Sequence, residues 1–251
     1  MSFLGALLRG RKPLEARIKR LTYAVGDIHG RLDLMEKMLQ KIKSDAALSQ
    51  ERPLIVFLGD YVDRGPHSKG VLDGILALQN AEWCDVEFLM GNHEEILLKF
   101  LNDPSAGLSW SDHGGAATLA SYGISLPHLR SDPLAWNETR DEFARALPDS
   151  HRQLMAQMKM LVIVDDYLFV HAGVRPNTPL DDQGAETFLW IRTPFLTVDK
   201  ACKYVVVHGH TPEEAPTNTR WRIGLDTGAY ATSVLTAVRL KDNTRTIFQV
   251  M

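Results

Sequence analysis

Short, mostly apolar runs recur along the first hundred residues, and each ends at a glycine that opens a polar cluster. Such runs predict buried strands, here at residues 21–25, 54–58 and 86–90. Because ligand sites in open α/β sheets lie at the carboxyl ends of strands, we expect the three turns to converge on one site. The clusters read Gly26-Asp27-Ile28-His29-Gly30, Gly59-Asp60-Tyr61-Val62-Asp63-Arg64-Gly65 and Gly91-Asn92-His93-Glu94.

Helical periodicity follows each of these clusters. Apolar residues recur at helical spacing over residues 31–43, with charged residues on the other face, and a similar pattern covers residues 67–78 and the stretch after Glu94. Strands that alternate with helices in this order are typical of an α/β protein.

The segment 102–158 departs from that regularity. It carries Trp110, the turn Asp112-His113-Gly114-Gly115 and helical patterns at 137–147 and 149–158. No low-complexity tract separates it from its neighbours. We therefore predict a helical cap inserted into one domain of residues 21–251, which follows an N-terminal tail of residues 1–20.

The second half returns to strand patterns, again with polar clusters at strand ends. The predicted strands are a hairpin of residues 160–164 and 167–170, followed by 204–207, 223–225, 234–240 and 246–250. The clusters that follow strands here are His171-Ala172-Gly173, His208-Gly209-His210-Thr211-Pro212 and Asp226-Thr227-Gly228-Ala229.

Composition narrows the classes of protein. With 251 residues and 45% hydrophobic content, the chain can bury a sizeable core. A net charge of -3 gives no sign of the broad basic surface that nucleic acid binding requires. The two cysteines, Cys84 and Cys202, have neither zinc-knuckle spacing nor the density of a disulfide scaffold, so we predict a reducing compartment, the cytoplasm.

The N-terminus places apolar residues 3–8 ahead of Arg9, Arg11 and Lys12. A secretory signal has the opposite order, and no later segment approaches the roughly 20 apolar residues of a membrane span. We interpret residues 1–20 as a frayed tail, with an amphipathic membrane-surface anchor as the alternative.

The strand-end clusters supply oxygen and nitrogen donors without a thiolate. This mixture suits Mn²⁺, Fe or Zn²⁺, whereas Mg²⁺ usually prefers fewer imidazoles. Asp60 can offer both carboxylate oxygens to hard cations, so we expect it to lie between two metal ions. His67, His128 and His151 lack such a setting and are interpreted as surface or hydrogen-bonded core residues. The candidate site residues at strand ends are Asp27, His29, Asp60, Asn92, His93, His171 and His210.

Taken in order, the clusters at residues 26–30, 59–65, 91–94, 171–173 and 209–211 resemble the signatures of the phosphoprotein phosphatase family of calcineurin-like metallophosphoesterases, with the bacterial branch as the nearest likeness. The resemblance implies a four-layer α/β/β/α sandwich of two mixed sheets, with a dimetal site at the carboxyl ends of strands. It also implies two divalent metal ions, with manganese favoured and iron, zinc or magnesium as alternatives.

The resemblance further implies a role for each residue. One metal would be held by Asp27, His29 and Asp60, and the other by Asp60, Asn92, His171 and His210. A hydroxide that bridges the metals would attack phosphorus in line. His93 would protonate the leaving group and Asp63 would orient it, while Arg64, Asn92 and Arg192 would bind the phosphate.

Some of these assignments have rivals. Arg175 competes with Arg192 as the second phosphate clamp. His208 competes with His210 as a ligand. His210 is favoured because it directly precedes Thr211, as the ligand does in the family pattern. Asp112 and His113 either line the substrate cleft or only form a turn. Asp226 either orients a metal ligand or only caps a turn.

We predict a metal-dependent phosphomonoesterase, most similar to serine/threonine protein phosphatases, whose partner is a phosphorylated protein or a small phosphoester; phosphotyrosine is a variant substrate. The alternative is a dinucleoside polyphosphate hydrolase of the diadenosine tetraphosphatase type, whose members tend to lack the acidic residue that Asp63 supplies. The C-terminal block of the eukaryotic protein phosphatases does not follow Asp226, which counts against a protein substrate. A non-catalytic metal-binding scaffold is the remote alternative, and it would be expected to have lost a ligand or His93.

Overall fold

The computed structural model describes residues 16–251. Most of the predicted N-terminal tail, with its alternative as a membrane-surface anchor, lies outside this range. The first strand begins at Ile18, three residues before the predicted start at residue 21, so the end of the predicted tail belongs to a sheet. No helix in residues 16–251 is long and apolar enough to cross a membrane.

The described strands are β1 (Ile18–Val25), β2 (Leu54–Phe57), β3 (Asp85–Phe88), β4 (Leu161–Val164), β5 (Tyr167–Val170), β6 (Val205–His208), β7 (Thr217–Asn218), β8 (Arg222–Gly224), β9 (Leu235–Asp242) and β10 (Thr244–Val250). The described helices are α1 (Leu32–Ser49), α2 (Ser68–Gln79), α3 (Asn92–Asn102), α4 (Gly107–Trp110), α5 (Ala116–Ser121), α6 (Pro133–Ala146), α7 (Asp149–Gln157), α8 (Ala185–Trp190) and α9 (Ala229–Thr232).

Two five-stranded sheets are present, and both are mixed. The first has the order β10-β9-β1-β2-β3, in which β1, β2 and β3 are parallel while β9 and β10 are antiparallel to their neighbours. The second has the order β4-β5-β6-β8-β7, with β5, β6 and β8 parallel. Both sheets therefore contain parallel strands whose carboxyl ends can contribute side chains to a site.

The sheets pack face to face through one apolar core, which explains why their strands read as continuous hydrophobic runs. In β5, Tyr167 and Phe169 belong to this inter-sheet core, whereas Leu168 and Val170 belong to the core on the opposite face. Each strand residue points to the other side from its neighbour, so a strand buried on both faces needs apolar residues at every position.

Helices cover the two outer faces unequally. The first sheet carries α1, α2 and α3, and the second is covered by α8 with turns around Leu180 and Phe195. The two mixed sheets with helices outside them confirm the predicted fold class. Helix α8 was not predicted, because six residues give too short a stretch for a helical period to stand out.

The segment 102–158 forms α4, α5, α6 and α7, which share the apolar core of α1–α3. Phe100 of α3 packs against Trp110 of α4 with ring centroids 4.8 Å apart, and Trp110 packs against Phe143 of α6 at 5.8 Å. Helix α6 starts at Pro133 instead of the predicted residue 137, because Asp132 accepts a hydrogen bond from the Leu134 amide and proline suits a first helical turn. The segment is therefore packed into the helical layer of the first sheet.

Candidate active site

A cleft of about 440 Å³ lies where the carboxyl ends of parallel strands from both sheets meet. Strands β1, β2 and β3 lead to Asp27 and His29, to Asp60, and to Asn92 and His93. Strands β5 and β6 lead to His171 and His210. All seven side chains are buried, with at most 6% exposure.

Asp60 stands at the centre of the cleft with its two carboxylate oxygens turned in different directions. Its Oδ2 lies 3.4 Å from Nε2 of His29, and its Oδ1 lies 3.4 Å from Nε2 of His171. The His93 amide donates a hydrogen bond to Oδ1 at 3.1 Å, which fixes the carboxylate. One carboxylate that faces two separate imidazoles has the geometry of a bridging ligand.

Two groups of donor atoms share Asp60. The first consists of His29, Asp60 and His93, and the second of Asp60, His171 and His210, with the donor atoms of each group within 4.8 Å of one another. Asn92 joins the second group, because its Oδ1 lies 2.8 Å from Nε2 of His171 and 2.9 Å from Nδ1 of His210. The second group thus contains the four residues that the resemblance implied for one metal.

Hydrogen bonds and burial leave His29 and His171 able to bind a cation. Nδ1 of His29 donates to the Val62 carbonyl at 2.9 Å, and Nδ1 of His171 donates to the Leu58 carbonyl at 2.8 Å. Each ring therefore presents an Nε2 lone pair to Asp60. Burial lowers the pKa of His29 to about 3 and also lowers the pKa of His171, so both imidazoles are neutral.

His210 is held by its neighbours through the backbone. Its amide donates to both carboxylate oxygens of Asp27, at 3.2 and 3.0 Å, and a side chain on Gly209 would place its Cβ 1.9 Å from Asp27 Oδ1. A larger residue at position 209 would therefore displace the Asp27 carboxylate. Among the described residues, Nε2 of His210 is buried without a hydrogen-bond partner.

Asp27 belongs to neither donor group, although the sequence assigned it to the first metal. Its carboxylate accepts a hydrogen bond from the His210 amide. Burial raises the pKa of Asp27, and the nearby charges of Asp226 and Asp60 raise it further. Burial also raises the pKa of Asp226, to about 6. Cations bound nearby would reduce the repulsion between these buried carboxylates.

His93, a member of the first donor group, forms a buried ion pair with Asp63, which lies outside that group. Nδ1 of His93 lies 2.7 Å from Oδ2 of Asp63, and Asp63 also accepts hydrogen bonds from Trp110 Nε1 at 3.0 Å and Thr118 Oγ1 at 2.6 Å. Burial lowers the pKa of His93, but Asp60 and Asp63 outweigh it and raise the pKa to about 9. The pair therefore holds a proton at neutral pH, which divalent ions on Asp60 would make easier to release.

Two arginines border the cleft. Arg64 donates to the Tyr230 hydroxyl at 2.7 Å, and Arg192 reaches toward the His210 carbonyl at 3.5 Å. Arg175, the rival of Arg192, lies outside this cleft in a separate pocket with Gln183. The position of the two guanidinium groups around one cleft favours Arg192.

The site is built from backbone that ordinary residues rarely adopt. Positive φ angles between 46° and 70° occur at His29, Asp60, Asp63, Arg64 and His210. A non-glycine residue at positive φ raises the free energy of the folded state, and such strained residues concentrate at functional sites.

Glu94 is a site residue that sequence reasoning did not assign. Its Oε2 accepts from the amides of Asp60 and Gly91 at 2.9 and 3.0 Å, and its Oε1 accepts from Tyr61 and Val62 at 2.8 and 3.1 Å. The signal was its place three residues after Gly91 at the start of a helix, which is the acidic position of a capping box. Tyr230, Trp110 and Thr118 were also missed as partners of site residues, because each is far in sequence from the residue that it contacts.

The remaining alternatives have definite positions. His208 is buried beneath the cleft, with Nε2 at 3.2 Å from Arg222, and belongs to neither donor group. Asp226 and His113 line the cleft, while Asp112 pairs with Arg130.

Comparison of the sequence with known proteins identifies a protein family and similar proteins of named activity. The sequence profile of the calcineurin-like phosphoesterases matches residues 21–233. A bis(5′-nucleosyl)-tetraphosphatase PrpE of Bacillus cereus, described as asymmetrical, is 25% identical over 234 residues, which cover 86% of this chain and 88% of that protein.

Solved structures agree with the architecture. A candidate diadenosine tetraphosphatase has a TM-score of 0.59 at 19% identity and covers 94% of this chain and 99% of its own. A mutant of a cold-active protein tyrosine phosphatase has a TM-score of 0.57 at 19% identity and covers 91% of this chain and 80% of its own. At these identities the two likenesses establish the fold alone.

Proposed function

The chain belongs to the calcineurin-like phosphoesterase family, and from this premise we propose that it is a dinuclear metal hydrolase that cleaves dinucleoside polyphosphates. The observation that carries the hydrolytic chemistry is the shared carboxylate of Asp60, whose two oxygens face separate donor groups. The substrate class is supported by the bis(5′-nucleosyl)-tetraphosphatase of Bacillus cereus, which matches this chain over nearly its whole length.

The donor set fits two divalent cations. Nitrogen and oxygen atoms converge without a thiolate, and His29 is neutral. Among the described side chains, only His93 and the arginines offer positive charge to the buried carboxylates. We propose that Asp60 is shared, with His29 on one side and Asn92, His171 and His210 on the other, and that Asp27 completes the first site. When bound, such ions acidify water and neutralise phosphate charge, and manganese suits this donor set.

The protein's own groups would orient the phosphate and move protons. Arg64 and Arg192 offer forked donors to phosphate oxygens from the rim of the cleft. In the reaction a water molecule would release a proton to solvent as its oxygen bonds to phosphorus, while the anhydride P–O bond breaks and the departing nucleotide phosphate keeps the electron pair. His93, held by Asp63, would supply a proton to that leaving oxygen.

A second candidate activity is hydrolysis of phosphomonoesters, which the sequence favoured. The observation in its favour is the His93–Asp63 pair, since an alkoxide leaving group needs a proton far more than a nucleotide leaving group does. Serine or threonine phosphoesters would therefore benefit most from this acid, and phosphotyrosine less.

The deciding experiment uses the full chain, stripped of metal and then reloaded with Mn²⁺. Its kcat/KM is measured on diadenosine tetraphosphate, p-nitrophenyl phosphate and a phosphopeptide panel, with Asp60→Asn as the background control. We expect Mn²⁺-dependent activity that is highest on diadenosine tetraphosphate. A higher kcat/KM on any phosphopeptide would overturn this substrate in favour of the phosphomonoesterase.

A further inference from the structure

Two exposed aromatic rings stand at the metal cleft. Among the described residues, the large apolar side chains with high exposure include only two aromatic ones, Trp190 at 40% and Tyr230 at 38%, and both line this cleft. Exposed apolar surface beside a cluster of charged groups has a solvation cost, so it indicates a ligand with an apolar part.

The two rings are not equivalent. The guanidinium carbon of Arg64 lies 4.6 Å from the centre of the Tyr230 ring, and Arg64 also donates to the Tyr230 hydroxyl at 2.7 Å. The edge of the same ring meets His29 at a centroid distance of 5.4 Å. Tyr230 therefore already has a cation over its face, and its role is to position Arg64.

Trp190 has a different environment. Its indole Nε1 donates to Glu95 Oε2 at 2.7 Å, and its ring meets His210 at a centroid distance of 6.1 Å with planes 81° apart. No cation lies over this ring among the described residues. The hydrogen bond to Glu95 fixes the plane of the indole and leaves ring surface open to the cleft.

The surroundings of Trp190 combine an apolar wall with anion-binding groups. Ile96, which follows Glu95 on α3, lines the same cleft, and Arg192 lies two residues beyond Trp190. A flat ring joined to a chain of phosphates matches this arrangement, because the ring can stack while Arg192 meets the phosphate charge.

We propose that Trp190 is a stacking platform for a nucleobase of the substrate and determines the preference for nucleotides over base-free phosphates. This inference rests on the proposed dinucleoside polyphosphatase function. Glu95 holds the indole in its stacking orientation. Tyr230 keeps Arg64 at the phosphates and does not contact the base.

The test measures the KM of the Mn²⁺-loaded full chain for diadenosine tetraphosphate, and the inhibition constant of inorganic tripolyphosphate in the same assay at fixed free Mn²⁺. Stacking of one base on an aromatic ring corresponds to roughly 5- to 140-fold in affinity. Trp190→Leu is expected to raise KM within this range and to leave the tripolyphosphate constant within about twofold. Trp190→Phe, which keeps a ring, is expected to fall between Leu and wild type.

Trp83→Leu is the matched control, since Trp83 lies beside Lys43 and outside the cleft. An unchanged KM in both Trp190 variants, or an equal weakening of both ligands, would overturn the stacking role while leaving the proposed function intact. If Trp190→Leu does not fold, the Phe variant decides alone, with wild-type KM counting against stacking. A wild-type enzyme that cleaves phosphopeptides but not diadenosine tetraphosphate would overturn the proposed function, and the stacking role with it.

Discussion

At the scale of single residues, His93 and Asp63 separate the two substrate classes. The sequence used Asp63 as an argument for phosphomonoesters, and the structure joins it to His93 at 2.7 Å and buries it completely. The named relative nevertheless points to dinucleoside polyphosphates. The His93–Asp63 pair is compatible with either substrate class, because the two classes differ in how much their leaving groups depend on protonation by His93.

Replacement of His93 by Asn is expected to have an effect that depends on the leaving group. On β-glycerophosphate, which releases an alkoxide, kcat should fall by about 10²- to 10⁴-fold, the usual contribution of a general acid. On diadenosine tetraphosphate, which releases a stable phosphate anion, the loss should be far smaller. Steady-state kinetics on both substrates measure this difference, with the exposed His128→Asn variant as control. Equal losses on the two substrates would contradict the acid role.

At the scale of elements, Glu94 ties the start of α3 to the turn after β2. Four backbone amides converge on its carboxylate, three of them from residues 60–62 in the turn that carries Asp60. Burial, with the charge of Asp60, raises the pKa of Glu94 to about 8. The position of the Asp60 turn therefore depends on a helix end 34 residues away in sequence.

Glu94→Gln should destabilise the protein. The amide group of Gln replaces one acceptor oxygen with a donor and leaves two buried backbone amides unpaired, at about 1–3 kcal/mol each. Urea unfolding of the metal-free protein measures the change in the free energy of unfolding. Glu142→Gln, at an exposed position of α6, is the control and should change it by less than about 0.5 kcal/mol. Similar values for the two variants would refute the role of Glu94.

His151 connects helices at a second place. Its Nδ1 lies 2.7 Å from the Tyr122 hydroxyl, just after α5, and its Nε2 lies 2.9 Å from Asp73 of α2. The sequence interpreted this residue as an ordinary hydrogen-bonded or surface histidine, and its side chain is fully buried. Burial lowers the pKa of His151, and the contact with Asp73 opposes this shift only in part.

This shift predicts a loss of stability in acid. As pH falls below about 6.5, the unfolded chain binds a proton at His151 while the folded chain does not, so stability present above that pH is lost. Between about pH 7.5 and 5.5, the free energy of unfolding should fall more in wild type than in His151→Gln, as followed by urea unfolding in EDTA. The exposed His128→Gln should keep the wild-type slope, and a His151→Gln slope equal to wild type would exclude this contribution.

At the scale of the whole molecule, the proposed metal ligands come from both sheets. Asp60 and Asn92 follow strands of the first sheet, and His171 and His210 follow strands of the second. Cations bound across these ends would hold the sheets together in addition to their shared apolar core.

Mn²⁺ should therefore raise the Tm of the metal-stripped protein, and EDTA should reverse the gain. A ligand at 100 times its Kd stabilises the folded state by about 2.7 kcal/mol. Asp60→Asn should lose most of the gain because both sites share this carboxylate, whereas Asp112→Asn, outside the donor groups, should retain it. Differential scanning calorimetry checks this, and an equal Mn²⁺ shift in Asp60→Asn would contradict the shared ligand.

The sequence by itself determined the succession of the main strands and helices along the chain, the polar clusters at strand ends and the family. It could do so because local patterns record which faces of a strand are buried and where the backbone turns. Element ends shifted by a few residues, as at Ile18 and Pro133, where caps and neighbouring strands decide the boundary. Strand β7, with two residues, and helix α8, with six, were too short for a periodic pattern to show in the sequence.

Only the tertiary structure decided which atoms meet. Asp27 accepts a hydrogen bond from the His210 amide, Glu94 accepts hydrogen bonds from four backbone amides, and Trp190 is exposed beside the candidate active-site cleft. Each of these relations joins residues from separate strands or helices. Sequence spacing does not encode such distances, because they arise from the packing of two sheets and from backbone held at positive φ.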